Sequence, residues 1–109
     1  MKLPELVDLL ESIGYPVTFS EFKVTPDNPP PNPPFIVYLI EGSNNFFADN
    51  ITYRKITNVQ IELYTVKKEL AVEAKLESLL DQNELPYETT ELLIKSEGLY
   101  QKTYEVGMI

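Results

Sequence analysis

Ile56-Thr57-Asn58-Val59-Gln60-Ile61-Glu62-Leu63-Tyr64-Thr65 is the stretch whose reading decides the fold. Val59, Ile61 and Leu63 alternate with Gln60, Glu62 and Tyr64, the two-residue period of a strand with one dry and one wet face. A strand of that kind needs a partner layer, and the flanking sequence supplies candidates. Downstream, Val72, Leu76, Leu79 and Leu80 recur at helical spacing, which predicts a helix from about Val66 to Asp81 with Thr65 as its cap. The rest of that helix carries Glu69, Glu73, Lys75 and Glu77, which reads as a solvated acidic face.

Further on, Pro86 precedes Tyr87–Lys95, and Ser96-Glu97-Gly98 separates that run from Leu99–Val106, the signature of a hairpin. Upstream, Phe35-Ile36-Val37-Tyr38-Leu39-Ile40 is continuously apolar and predicts a central strand covered on both faces. The following Glu41–Asn50 segment, rich in Gly, Ser and Asn, reads as a loop with Phe46 and Phe47 embedded in it. Two adjacent aromatics in a polar loop either fold back beneath it or dock on another subunit. There is room for a further short strand near Ile51 to Tyr53.

Six of the nine prolines fall within residues 23–34. Such a run disfavours ladder pairing and favours an extended, polyproline-like loop. It serves either as a stiff connector or as a recognition arm. Before it, Val17 and Phe19 alternate within Tyr15–Phe22, a short strand, and Leu3, Leu6, Val7, Leu10 and Ile13 mark one face of an N-terminal helix. Pro4 suits its first turn, and Gly14 sits where a left-handed cap is wanted. The order is α-β-β-β-α-β-β in a single α+β domain spanning residues 1–109, a mostly antiparallel sheet with two helices on one face.

At 109 residues, with 43% hydrophobic, the chain supports one core. Seventeen acidic against nine basic residues leave a net charge of −8, which disfavours nucleic-acid binding and docking on an anionic membrane. The absence of Cys and His removes thiol chemistry, the imidazole base and a conventional zinc site. The four glycines at 14, 42, 98 and 107 form no phosphate loop. Glu73/Glu77 and Glu77/Asp81 lie one turn apart, and Asp49-Asn50 stands near Glu41, but neither set matches a metal-binding motif. The Tyr53-Arg54-Lys55 and Lys67-Lys68 clusters are too small for a nucleic-acid patch. With no signal-peptide pattern and no apolar run longer than Phe35–Ile40, the expectation is a soluble, non-catalytic protein made in a cytoplasm.

Phe35–Glu41, Asn45-Phe46-Phe47-Ala48-Asp49-Asn50, Tyr53-Arg54-Lys55 and Val59-Gln60-Ile61-Glu62-Leu63-Tyr64-Thr65, followed by a helix, resemble the small tail-completion proteins of long-tailed phages and prophages of Gram-positive bacteria. Tail terminators of lambda-like phages share the α-β-β-β-α-β-β order. The resemblance runs from Leu3 to Val106 and rests on the combined order of elements. It implies a structural virion protein, a tail terminator or head–tail joining protein, that forms a hexameric ring on the last ring of the tail tube. Its partners would be copies of itself, the major tail tube protein and the head connector, with no cofactor and no membrane. The protein would assemble in the bacterial host cytoplasm and reside in the virion at the head–tail interface. DNA would pass through without specific binding, and Glu69, Glu73 and Glu77 become candidates for an acidic lumen face. Phe46, Phe47, Asp49 and Asn50, with Pro29, Pro30 and Pro31, become candidates for subunit or partner contacts. The acidic charge also fits a cytoplasmic protein-binding adaptor or inhibitor, which would retrieve a nuclease or repressor instead of tail proteins.

Overall fold

The computed structural model describes residues 2–22, 26, 27, 29, 31–48 and 51–108, with backbone alone for 41–48 and 51–57. Helix α1 (Leu3–Glu11) is followed by strands β1 (Val17–Phe19), β2 (Phe35–Ala48) and β3 (Ile51–Thr65). Helix α2 (Leu70–Gln82) and the hairpin of β4 (Tyr87–Ile94) and β5 (Leu99–Met108) complete it. The five strands form one sheet in the order β1-β2-β3-β5-β4. The fold is α+β.

The alternation on β3 organises the core. Val59, Ile61 and Leu63 are fully or almost fully buried, and their ladder neighbours on β5 put Val106 and Tyr104 on the same face. On the other side Ile36 pairs with Leu63 and Tyr38 with Ile61. Leu6 and Leu10 of α1 and Leu76 and Leu80 of α2 close over this surface, all of them at most 1% exposed. Each such side chain contributes about 1.5–3 kcal/mol on leaving water. Both helices therefore cover one face, as the periodicities predict.

Several local readings are corrected. β3 lies at the centre of the sheet, whereas β2 lies one place from the edge. Ile36 and Val37 are buried on opposite faces of β2, but Ile40 is 46% exposed, so double cover ends before the strand does. β1 is shorter than Tyr15–Phe22: Pro16 precedes it, and Ser20, at φ 67°, turns the chain out of the sheet. β1 also runs parallel to β2, with Val17 beside Ile36. Parallel neighbours require a crossover of about a dozen residues. The Pro-rich connection therefore has to be long.

Thr65 does not cap α2. It remains in β3 opposite Tyr100 and is buried, and Glu69 takes the N-cap position. Pro4 does lie in the first turn of α1, and Gly14 adopts φ 102° beyond its end. The β4–β5 hairpin turns through 95–98, with Gly98 at φ 63°.

The largest correction concerns 41–50. β2 runs on through Gly42 to Ala48, pairing with β3 from Asn58 back to Ile51, with register shifts at Ile40/Gly42 and Phe46/Phe47. The segment taken as a loop is thus mostly strand, and the short strand near Ile51 is the start of β3. Thr57 pairs with Met108 at the end of the β3–β5 ladder; past it, among the described residues, β2 and β3 pair only with each other. The result is a two-stranded arm. The molecule measures 52 × 30 × 26 Å, and its radius of gyration is 15.5 Å. A compact domain of this size would have about 13 Å.

Ile61→Ala is expected to cost about 2–5 kcal/mol in urea unfolding, because it empties the middle of the core. Replacing residues 44–56 by Asn-Gly, which closes the hairpin at the Ser43/Thr57 pair, should change stability by no more than about 1 kcal/mol. A large loss from the second change would show that the arm supports the sheet.

Candidate functional site

The most concentrated chemistry lies where α2 crosses β5 and β4. Alternation along β5 sends Lys102 to the helix-covered face together with Tyr104, Val106 and Met108, and its side chain is only 12% exposed. Helical spacing places Glu73 in line with Leu76 and Leu80, and it is 3% exposed. The two meet: Lys102 Nζ donates to Glu73 Oε1 at 2.8 Å. Lys68, just ahead of α2, donates to the same oxygen at 2.8 Å. Glu91 stands opposite Lys102 in the ladder and also accepts from Lys68. Glu77 lies 3.6 Å from Lys102 and accepts from the Tyr104 hydroxyl at 3.1 Å; Tyr100 donates to Glu91 at 3.1 Å.

The electrostatics follow from this geometry. Burial alone would push the Glu73 carboxyl up, but the hydrogen bonds and charges of Lys102 and Lys68 outweigh it and hold the group below the usual carboxylate range. For Lys102 burial works downwards, and Glu73 and Glu77 more than compensate, so the ammonium is held firmly charged. Burial, then Glu77, pushes the Tyr104 hydroxyl up. A lysine held protonated is not a nucleophile, and a carboxylate saturated by two ammonium groups is not a free base. The cluster clamps α2 to the β4–β5 hairpin.

Among the described residues, the opposite face of the sheet carries no helix. Tyr64 stacks on Phe35 at 4.8 Å between ring centres, and Phe22 meets Phe35 edge-on at 5.4 Å. Glu62 accepts from Gln60 at 2.7 Å and from the Tyr64 hydroxyl at 3.0 Å. Burial, then Glu62, pushes that hydroxyl up. Glu88 and Glu105, both exposed, stand directly opposite each other in the β4–β5 ladder. Like charges so placed destabilise a sheet slightly. They also line a cleft of about 560 Å³, bounded by Asn58, Pro86 and Gly107 at the root of the arm.

The candidate residues do not converge on one place. Phe46 and Phe47 lie on the arm, opposite Arg54 and Thr52. Asp49, Asn50 and Pro30 fall outside the described residues, while Pro29 is exposed and Pro31 half-buried. The solvated acidic helix face is corrected at Glu73, which is buried and neutralised; Glu69 and Glu77 are half-buried. Sequence reasoning missed Lys102, Lys68 and Glu91. The available signal was Lys102 itself, a cation in phase with Tyr104 and Val106 that requires an inward-facing acid. Among the described residues, no group of three or more carboxylates is placed to hold a metal ion, and no helix is long and apolar enough to cross a membrane. No protein-family model matches the chain, and no curated protein matches it significantly.

Glu73→Gln is expected to cost about 3 kcal/mol, since it leaves Lys102 with a weakened partner in a largely buried position. Because the folded carboxyl titrates below its unfolded value of about 4.3, its contribution is full above that value and fades as pH falls through the folded one. Urea unfolding between neutral and acid pH should therefore show the wild type losing stability more steeply than Glu73→Gln. Parallel curves would remove Glu73 from the acid response.

Proposed function

We propose that this chain is a structural subunit of a long-tailed phage, a tail terminator or head–tail joining protein. In this reading it acts as a hexameric ring between the last ring of the tail tube and the head connector. The observation that carries the reading is the β2–β3 arm. Past Thr57 the described arm pairs with no other strand of the chain, and an isolated two-stranded ribbon is marginally stable in water, so a neighbouring subunit would be its natural support. A subunit that gains order by reaching into another is built for assembly. The α-β-β-β-α-β-β order and the placement of both helices on one face agree with the resemblance. The net charge of −8 suits a ring through which DNA must slide, because it repels phosphates.

Deleting the reading frame from the phage that carries it and imaging the lysate by negative stain tests the proposal. Overlong or irregular tails detached from full heads are expected of a terminator, and tails of normal length that fail to join heads are expected of a joining protein. Normal infectious particles would overturn the virion reading in favour of an acidic adaptor. Phe46→Ala combined with Phe47→Ala should leave the monomer folded by circular dichroism and weaken ring or tail-tube attachment by about 2 kcal/mol or more. Unchanged attachment in a pull-down with tail tubes would take these aromatics out of the contact.

A further inference from the structure

We propose that the contact between neighbouring copies is made by the β2–β3 arm of one copy lying on the helix-free sheet face of the next, seated at the cleft lined by Glu88 and Glu105. This deepens the ring reading, on which it rests for closure; the contact itself is argued from the two surfaces.

The first surface is the arm. Its strands, 42–48 and 51–57, contain Phe46, Phe47, Ile51, Tyr53 and Ile56, together with Arg54-Lys55; with Asp49 in the sequence between them, residues 42–57 carry two basic residues and one acidic, a net charge of +1. At roughly 3.3 Å per residue each strand spans about 23 Å, enough to cross a five-stranded sheet about 20 Å wide. The second surface is the helix-free face, uncovered over β3, β5 and β4, whereas Val37 on β2 is already buried there. Its described positions hold Glu62, Glu88 and Glu105 and no Lys or Arg, while Phe35, Leu39 and Tyr64 provide apolar and aromatic area on β2 and β3. Lys68 and Lys102 are engaged on the other face and cannot neutralise these glutamates. A basic, aromatic arm and an acidic, partly apolar face are complementary in charge and in hydrophobic character, and one chain carries both.

A second copy is therefore the occupant that fits. The two surfaces differ, so the contact is heterologous, and repetition of one heterologous contact generates a ring when the rotation closes. Docking Arg54, which the register places on the same ribbon face as Phe46 while Lys55 belongs to the other, between Glu88 and Glu105 also relieves the like-charge opposition in the β4–β5 ladder.

The test is sedimentation velocity of the full chain across the micromolar to millimolar range, with circular dichroism to establish that every variant is folded. Wild type should assemble, and added salt should weaken it. Arg54→Glu with Lys55→Glu, and separately Glu88→Lys with Glu105→Lys, should each raise the concentration for half-assembly by about tenfold or more. An equimolar mixture of the two variants should regain assembly, because each reversed surface then meets a reversed partner. Rings that persist unchanged in both variants would overturn the arm-on-face contact and leave the ring reading standing. Losses that mixing fails to rescue would also overturn the contact. A wild-type chain that stays monomeric throughout would overturn the arm-on-face contact and leave the ring reading to the deletion experiment.

Discussion

The alternation of Val59, Ile61 and Leu63 with Gln60, Glu62 and Tyr64 is the constraint on which the other elements depend. A one-residue slip of β3 would expose three buried aliphatic side chains and bury a carboxylate, so the register is strongly specified. The neighbours inherit that register: Tyr104 and Tyr38 flank Ile61, and Val106 flanks Val59, all on one face. The helices have then only one apolar surface to cover, and both cover it. β3 is also longer than the sheet it organises, extending to Ile51 although its ladder with β5 stops at Thr57. The same strand that fixes the core therefore supplies half of the projecting arm.

α2 is held by a second kind of constraint. Leu76 and Leu80 give it an apolar grip, but apolar contact is tolerant of sliding and rotation. The Lys102–Glu73 pair is not, because a hydrogen-bonded ion pair with little water around it is costly to break on one side. Lys68 and Glu91 extend the pair to the start of α2 and to β4, so three elements meet at one cluster. Desolvation offsets much of the attraction in such clusters. Their contribution here is positional: α2 has one rotation in which Glu73 is satisfied, and in that rotation the Tyr104 hydroxyl meets Glu77.

Most of the fold was legible in the sequence, because two-residue and helical periods are direct consequences of burial on one side. The α1 stripe, the α2 stripe, the β4–β5 hairpin and β3 all follow from such patterns. Glu41–Asn50 was misread because Gly, Ser and Asn are turn formers by local preference, whereas pairing with β3 overrides local preference. The parallel pairing of β1 is set by a crossover, which no local pattern encodes. Glu73 carries a charge that points to solvent and a phase with Leu76 and Leu80 that points to the core, and the phase prevails because Lys102 and Lys68 meet it there. The ion-pair cluster is a property of elements far apart in the chain, and only the inward phase of Lys102 hinted at it.

In the proposed ring, a net charge of −8 per chain sets a constraint, since uniform negative charge would keep copies apart. Here the charge is partitioned. On the helix side, Lys68 and Lys102 are both engaged by Glu73, Glu77 and Glu91, two cations against three carboxylates, which leaves neither lysine of the cluster for the other face. The helix-free face retains glutamates without cations among its described positions, and Arg54 and Lys55 lie on the arm, beyond the end of the β3–β5 ladder. Separation of this kind costs the monomer, which forgoes intramolecular pairing and keeps Glu88 opposite Glu105. It favours contacts that bring an arm to a face and penalises face-to-face contacts, where glutamates would oppose glutamates. Reciprocal face-to-face dimers are thereby disfavoured, and the proposed directional contact, which can propagate around a ring, is consistent with this charge distribution.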